Sequence, residues 1–188
     1  MKSVFNIIMI VLAATVPALP VLAQHEGHGE TQEMHAFGPP AEMKQVAGFV
    51  GSWKYQGEMR MDPNAEWTKH DAAAVFTLVC GGAALQMDFT GNMMGMEMKG
   101  LSLTGFDRET GKWQGIWTDN FAGRMSYYEG DFMDGRLVHS GKDLMQGMTM
   151  FTRTTYYDIT DKTMNWMMEN SMDGQTWFVS MRGTYTRQ

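Results

Sequence analysis

Three histidines near the start of the chain are the residues with the clearest capacity for metal chemistry. His25 and His28 flank Glu26, and His35 follows Met34. Imidazole nitrogens bind Cu(II), Ni(II) and Zn(II), and imidazoles close together can share one ion. No cysteine in this stretch would impose a coordination geometry. The spacing therefore predicts a weak site for copper or another divalent metal, with a simple linker as the alternative.

Methionine is the second residue type whose abundance suggests chemistry. The chain contains 21 methionines, and thioether sulfur is a soft ligand that selects Cu(I). Methionine also fills irregular cores well, and Met94, Met96 and Met98 alternate as the residues of one strand face do. The pattern favours core or turn positions for these residues and leaves copper handling through Met and His sites as an alternative function.

A carboxylate lies among aromatic side chains beside a predicted turn. Trp113, Trp117 and Asp119 alternate onto one strand face, and Tyr127 and Glu129 share a face of the next strand. Apolar walls with a few polar groups orient small ligands, so this corner predicts a pocket. The alternative is that Asp119 only forms the turn. The sequence has no G-x-S-x-G, H-E-x-x-H or phosphate-loop motif, so a barrel enzyme using Asp119 or Glu129 as acid or base is a further alternative.

Composition narrows the classes of partner. Fifteen Lys and Arg stand against 21 Asp and Glu, which gives a formal net charge of -6. An acidic chain without a cluster of Lys and Arg argues against nucleic acid and against docking on anionic lipid. The single cysteine, Cys80, ends an apolar run and is predicted to be a buried, inert thiol without an internal disulfide.

The start of the chain has the pattern of a secretory signal. Lys2 precedes an apolar run from Val4 to Val16, and Ala23 suits a cleavage site. We therefore expect a periplasmic or secreted protein with no membrane span after cleavage. The predicted organisation is a signal peptide over 1–23, a flexible His-containing tail over 24–38 and a β-barrel domain over 39–188.

Alternation of apolar and polar residues dominates the rest of the sequence. After a Pro39-Pro40 pair, a short helix is predicted with one apolar face, formed by Met43, Val46, Ala47 and Val50. From Gly51 onward the apolar period is two, which indicates strands. Ten are predicted, over 52–61, 67–79, 83–91, 96–106, 112–119, 124–132, 136–141, 148–158, 163–172 and 175–187. Their short links favour an all-β, antiparallel up-and-down barrel over a Greek-key sandwich.

The order and spacing of several short segments carry a family resemblance. They are Gly48–Trp53, which holds a G-x-W opening, Met93–Met96, Gly100–Asp107, Trp117–Asp119, Glu129-Gly130 and Gly183–Arg187. Together they resemble a secreted bacterial family catalogued as domain of unknown function 1579, placed among the lipocalin-like (calycin) proteins. The resemblance implies a barrel of about ten strands. It transfers no catalytic residues and does not include the histidine tail.

The leading functional prediction is an exported protein that holds a small, largely apolar ligand inside the barrel without transforming it. Because closure pairs the first strand with the last, Arg187 is also predicted to stack on Trp53. The residues predicted to line the ligand site are Trp53, Tyr55, Trp113, Trp117, Asp119, Tyr127, Trp166, Trp177 and Arg187. A filled interior would argue against all of these pocket assignments.

Overall fold

The computed structural model describes residues 37–93, 95–145 and 147–188. A 3-10 helix, Ala41–Phe49, precedes ten β-strands, and a single 3-10 turn, Cys80–Gly82, links the second strand to the third. The strands are β1 (Gly51–Met59), β2 (Thr68–Val79), β3 (Ala84–Met93), β4 (Met96–Asp107), β5 (Lys112–Asp119), β6 (Met125–Met133), β7 (Arg136–Met145), β8 (Met148–Tyr157), β9 (Thr163–Ser171) and β10 (Phe178–Arg187). The predicted signal peptide and residues 24–36 of the predicted tail lie outside the described residues.

The ten strands form one closed antiparallel barrel. Each strand pairs with its neighbours in sequence, and β1 pairs with β10 to complete the ring. Closure satisfies the backbone groups that a free sheet edge would leave unpaired. The prediction of an all-β up-and-down barrel of ten strands with a short N-terminal helix is confirmed. The largest differences in strand bounds are at the end of β7 and the start of β10.

The 3-10 helix packs against one end of the barrel, which we call the helix end. Its buried residues are Met43, Val46 and Phe49, a spacing of three that matches the 3.0 residues per turn of this helix type. The Phe49 ring lies edge-on to interior aromatic rings. Ala47 and Val50, predicted to share the buried face, are exposed. They are exposed because an α-helical period does not apply to a 3-10 helix.

The half of the barrel next to the helix contains the packed core. Aromatic rings meet there at short range; the Tyr55 and Tyr185 ring centroids, for example, are 4.7 Å apart. Protein interiors pack as densely as organic crystals, so such a cluster fills its space. The fully buried large side chains are Trp53, Trp113, Tyr55, Phe49, Leu137, Met164 and Val46.

Cys80 differs from its prediction. The residue is exposed, because β2 ends at Val79 and the chain leaves the barrel wall in the turn Cys80–Gly82. The prediction of a buried thiol is wrong. Among the described residues, no helix has the length and apolar character needed to cross a bilayer.

Candidate functional site

The predicted lining residues on the first strand and on β5 lie in the core. Trp53, Tyr55 and Trp113 face the interior and are almost completely buried. Trp166 packs edge-on to Tyr55, with ring centroids 6.1 Å apart. Trp113 packs against Phe106 and Phe132. These rings therefore belong to the packed core.

Arg187 stacks on Trp53, as predicted. The guanidinium carbon lies 4.2 Å from the centroid of the indole ring. Its Nη1 and Nη2 each donate a 2.7 Å hydrogen bond, to the carbonyl oxygens of Val50 and Gly48. Its Nε donates to the carbonyl oxygen of Asp161. Arg187 therefore fastens the end of the 3-10 helix to the last strand of the barrel.

The opposite half of the interior lies toward the other end of the barrel, which we call the far end. Directly paired residues lie on the same face of a sheet. Because Trp117 pairs with Ser102 and Ser126, the register assigns it to the inner face. Although they face inward, several side chains here are partly exposed. Because the barrel is closed and the 3-10 helix packs on its other end, we infer that this exposure is through the far end. We call this space the cup; its apolar lining is Phe89, Trp117, Tyr128, Met150, Met168 and Met181.

Three contacts fix the position of the Trp117 side chain in the cup. Its Nε1 donates a 2.7 Å hydrogen bond to Asp119 Oδ2, and its ring packs edge-on to Phe89 with centroids 5.9 Å apart. Gly100 lies directly beneath the ring, where a Cβ atom would overlap it. Hydrogen bond, aromatic contact and glycine together hold the indole as a rigid platform.

Asp119 serves both the turn and the tryptophan. While Oδ2 accepts the bond from Trp117, Oδ1 accepts hydrogen bonds from the backbone nitrogens of Phe121 (2.8 Å) and Ala122 (2.6 Å). Both carboxylate oxygens are thus engaged. This arrangement orients a ring well and leaves little freedom for proton transfer.

A second polar group of the cup was not predicted. Tyr128 Oη donates to Asp143 Oδ2 at 3.4 Å, and Asp143 Oδ1 lies 3.5 Å from Arg124 Nε. Burial, and then the charge of Asp143, raise the pKa of Tyr128 to about 12. Sequence analysis missed Asp143 because the predicted strand ended at Gly141, where clear alternation stops.

Residues 38–187 match the family described as "Protein of unknown function (DUF1579)". The chain belongs to the DUF1579 family. The resemblance expected from the sequence is therefore confirmed, and the match covers the barrel without the histidine tail.

Solved structures with the same fold accompany the family match. The DUF1579 chain is similar to Rv2717c from M. tuberculosis, with 13% identity, a TM-score of 0.59 and coverage of 80% of this chain and 99% of that one. It is also similar to the S-type phycobiliprotein lyase CPES from Guillardia theta, with 12% identity, a TM-score of 0.52 and coverage of 80% and 98%. Identities this low show a common fold alone. No curated protein matches the sequence significantly.

Tyr127 lies on the outside of the DUF1579 barrel. It pairs with Ile116 and is 52% exposed, while its neighbours Ser126 and Tyr128 face inward. The prediction that Tyr127 faces the interior is wrong. Both faces of β6 carry a tyrosine, so alternation alone does not identify the inner one. Glu129 shares the outer face with Tyr127.

Trp177 also lies on the outer surface. Its ring stacks on the guanidinium of Arg153, 4.6 Å away, and Arg153 Nε donates to Glu169 Oε2 at 2.7 Å. A β-bulge between Val179 and Met181 inserts one extra residue into β10. A bulge reverses the alternation, so the prediction that Trp177 shares the inner face with Met181 is wrong.

Two histidines of the DUF1579 barrel are buried in its interior. His70 and His139 have no hydrogen-bond partner for Nε2 within the part of the chain that the structure describes. Burial lowers the pKa of both imidazoles, that of His139 to about 4. They are therefore neutral at physiological pH.

No metal site of the usual hard or borderline ligands is present in the described ranges. Within 37–93, 95–145 and 147–188, no three side chains of His, Cys, Asp or Glu come together around a possible ion. The histidines predicted to bind metal, His25, His28 and His35, lie outside the described residues.

Two grooves lie on the outer wall of the barrel. The larger, of about 610 Å³, runs past Gln56, Lys69 and Asp71. The smaller, of about 400 Å³, is bordered by Lys112 and Glu129. Both are open; charged side chains border the larger groove, and the smaller one also includes Met133 and Val138.

Proposed function

We propose that this DUF1579 protein binds a small, largely apolar ligand in the cup and leaves it chemically unchanged. The observation that carries this proposal is the partial exposure of aromatic and thioether side chains on the inner face of a closed barrel. Covering apolar surface is favourable by about 25 cal/mol per Å². A ligand that enters through the far end and covers these side chains gains that free energy.

The mixture of side chains in the cup suits a binding role. Trp117 and Phe89 are rigid walls held by their own contacts. Met150, Met168 and Met181 are flexible and adapt to the shape of an occupant. Tyr128 and Asp143 supply the few polar groups that orient ligands in largely apolar sites.

The carboxylates argue for binding rather than catalysis. Asp119 accepts three hydrogen bonds from the protein, and Asp143 lies between Tyr128 and Arg124. Glu129 is on the outer face, away from the cup. A general acid or base must reach the group that it protonates or deprotonates. Turnover that an Asp119→Asn variant abolished would favour an enzyme instead.

We also propose that the protein is exported. The support is the sequence pattern of residues 1–23, a basic start, an apolar run and a small residue before the cut. We expect the protein recovered from the periplasm or the medium to have the mass of the chain without residues 1–23. Recovery of the full-length chain in the cytoplasm alone would contradict export.

A ligand screen followed by tryptophan fluorescence tests the binding proposal. Fatty acids, haem, quinones and aromatic metabolites are titrated into the protein. A ligand of the cup should change the emission saturably and raise the melting temperature, because it binds only the folded state. The complete absence of a saturable response across the screen would contradict the proposal.

Two pairs of variants locate the site. Trp117→Leu removes the platform, and Gly100→Ala displaces it; each should weaken binding at least tenfold, about 1.4 kcal/mol. The controls are Trp67→Leu and Gly105→Ala. Trp67 lies between Arg60 and Arg182, each 4.5 Å away, and a Cβ at Gly105 meets only ordinary contacts. Equal losses in the variants and their controls would place the ligand elsewhere.

A further inference from the structure

Two hairpins at the far end carry the same methionine pattern. Residues 93–98 and 145–150 both read Met-x-Gly-Met-x-Met. In both, glycine takes a left-handed conformation in the turn, with φ of 81° at Gly95 and 83° at Gly147. Met93 pairs directly with Met96, and Met145 with Met148. The two hairpins are therefore the same structural unit with the same three methionines.

The strand register places the three methionines of each hairpin close together on one face. Cα atoms of directly paired antiparallel residues are about 4.5–5.5 Å apart. Met98 and Met150 follow two residues further on the same strand face, about 6.8 Å along the strand. Since methionine has three rotatable side-chain bonds, three thioethers at such positions can converge on one ion.

Core packing does not account for three of these six methionines. Met96 is 56% exposed, Met148 53% and Met145 43%. A side chain whose role is to fill a core is buried, and hairpin ends are otherwise rich in polar residues. The three other links at the far end lack the pattern. Three exposed and three partly exposed thioethers, repeated at two hairpins, are therefore available to bind a ligand.

We propose that each of the two hairpins binds one Cu(I) ion through its three methionine sulfurs. Thioethers are soft, uncharged donors, which favour Cu(I) over hard divalent ions. They leave the positive charge of the ion uncompensated, and a chain with a net charge of -6 attracts such a cation. The ion is bound as Cu(I), so no electron is transferred. Met150 also lines the cup, so the second of these two sites adjoins the apolar ligand proposed above.

The first test counts ions on the full chain. Cu(I) is titrated under reducing conditions against a coloured Cu(I) chelator. To remove the tail's contribution, His25, His28 and His35 are replaced by Asn in every sample. We expect two Cu(I) per chain. A result of none, or of one that survives the substitutions below, would overturn the proposal.

Substitution by leucine removes the sulfur but keeps the apolar surface, since Leu and Met have similar volumes. The triple variant Met93→Leu, Met96→Leu and Met98→Leu should lose one ion, and the same change at Met145, Met148 and Met150 the other. The first variant contains no side chain assigned to the cup and should keep the apolar ligand, whose loss would instead concern the proposed function. The matched control replaces three exposed methionines outside the hairpins, Met125, Met133 and Met172, by Leu and should retain both ions.

The pH dependence distinguishes thioethers from imidazoles. Thioether sulfur does not take up a proton in water, whereas imidazole is protonated below its pKa of about 6.5. Cu(I) binding at the hairpins should therefore change less than threefold in affinity between pH 7 and pH 5. A loss of tenfold or more over this range would assign the ions to histidine and overturn the proposal.

The rate of oxidation can be measured separately for each methionine. Hydrogen peroxide converts methionine to its sulfoxide, and a bound soft ion occupies the sulfur lone pair that reacts. Ag(I), which has the same charge and softness but does not cycle its redox state here, should slow oxidation at the six hairpin methionines at least fivefold. Met125 and Met133 should oxidise at an unchanged rate. Equal rates at all sites with and without Ag(I) would contradict the proposal.

Discussion

A single guanidinium, that of Arg187, holds together three parts of the chain. It stacks on Trp53 and donates hydrogen bonds to the backbone just before β1 and to Asp161 in the loop that links β8 to β9. An arginine can do this because its donors form a planar fork. The contact closes the barrel at the level of side chains, in addition to the backbone pairing of β1 with β10.

Replacing Arg187 should therefore reduce stability. We expect Arg187→Met to lower the free energy of unfolding by about 2 kcal/mol, since charged hydrogen bonds to carbonyl groups are lost. Arg187→Lys keeps the charge above the Trp53 ring but lacks the fork, so it should recover less than half. Urea denaturation measures both. Full recovery by Lys would mean that the charge alone provides the stabilisation.

His139 is the other residue whose chemistry depends on its surroundings. It is buried inside the barrel, and burial lowers its pKa from 6.5 to about 4. Between these two values the unfolded chain binds a proton at this residue and the folded barrel does not. The free energy of unfolding therefore falls as the pH falls from about 6.5 to about 4, by about 3 kcal/mol in total.

A neutral replacement should remove this dependence. His139→Gln has no proton to bind, so its stability relative to wild type should rise steadily as the pH is lowered through this window. Outside the window the difference should be constant. Chemical denaturation at half-unit intervals from pH 4 to pH 8 measures it. A difference that does not change with pH would show that His139 has an ordinary pKa in the folded state.

At the scale of the element, the β-bulge in β10 decides which side chains face the cup. The extra residue between Val179 and Met181 leaves Met181 inside and Trp177 outside, against Arg153. A substitution of Trp177 therefore reports on the outer wall alone. Trp117, on a strand without a bulge in its pairing with β4 and β6, keeps the predicted face.

We expect Trp177→Leu to leave ligand binding in the cup unchanged within twofold. Loss of its stacking on Arg153 should lower stability by about 0.5–1 kcal/mol, the range for exposed cation–π contacts. Fluorescence titration and thermal denaturation measure the two effects. If the substitution weakened binding tenfold, Trp177 would belong to the site after all.

At the scale of the whole molecule, closure joins the first strand to the last. Lys54 lies opposite Thr186 on the outer face of β1 and β10. In antiparallel pairs, Cα atoms come within the distance that a disulfide spans. An open sheet with the same ten strands would hold these two residues far apart.

A double-cysteine variant tests closure. Lys54→Cys with Thr186→Cys, in a Cys80→Ser background, should form a disulfide on oxidation and raise the free energy of unfolding by about 2–4 kcal/mol, because it closes a long loop. Lys54→Cys with Lys112→Cys is the control, since β5 is not adjacent to β1 in the barrel. Cross-linking of the control within one chain would contradict the strand order.

Much of the architecture follows from the sequence by itself. Strict alternation after Gly51 determined the ten strands, because side chains on a strand alternate between two environments. Turn residues between them determined the order of neighbours, and the need to pair the outer strands predicted the contact between Trp53 and Arg187. All of these rest on local patterns that neighbouring residues repeat.

The tertiary structure alone decided which face is inside and which part of the interior is filled. Alternation separates the side chains of a strand into two faces but does not say which face is inside. Tyr127 and Tyr128 could therefore not be distinguished until the pairing of β6 with β5 and β7 was known. One extra residue in β10 placed Trp177 on the outer face instead of the predicted inner face. The division into a packed half and a cup depends on summed side-chain volumes from all ten strands and the helix. Because packing is a property of residues far apart in sequence, no local pattern contains it.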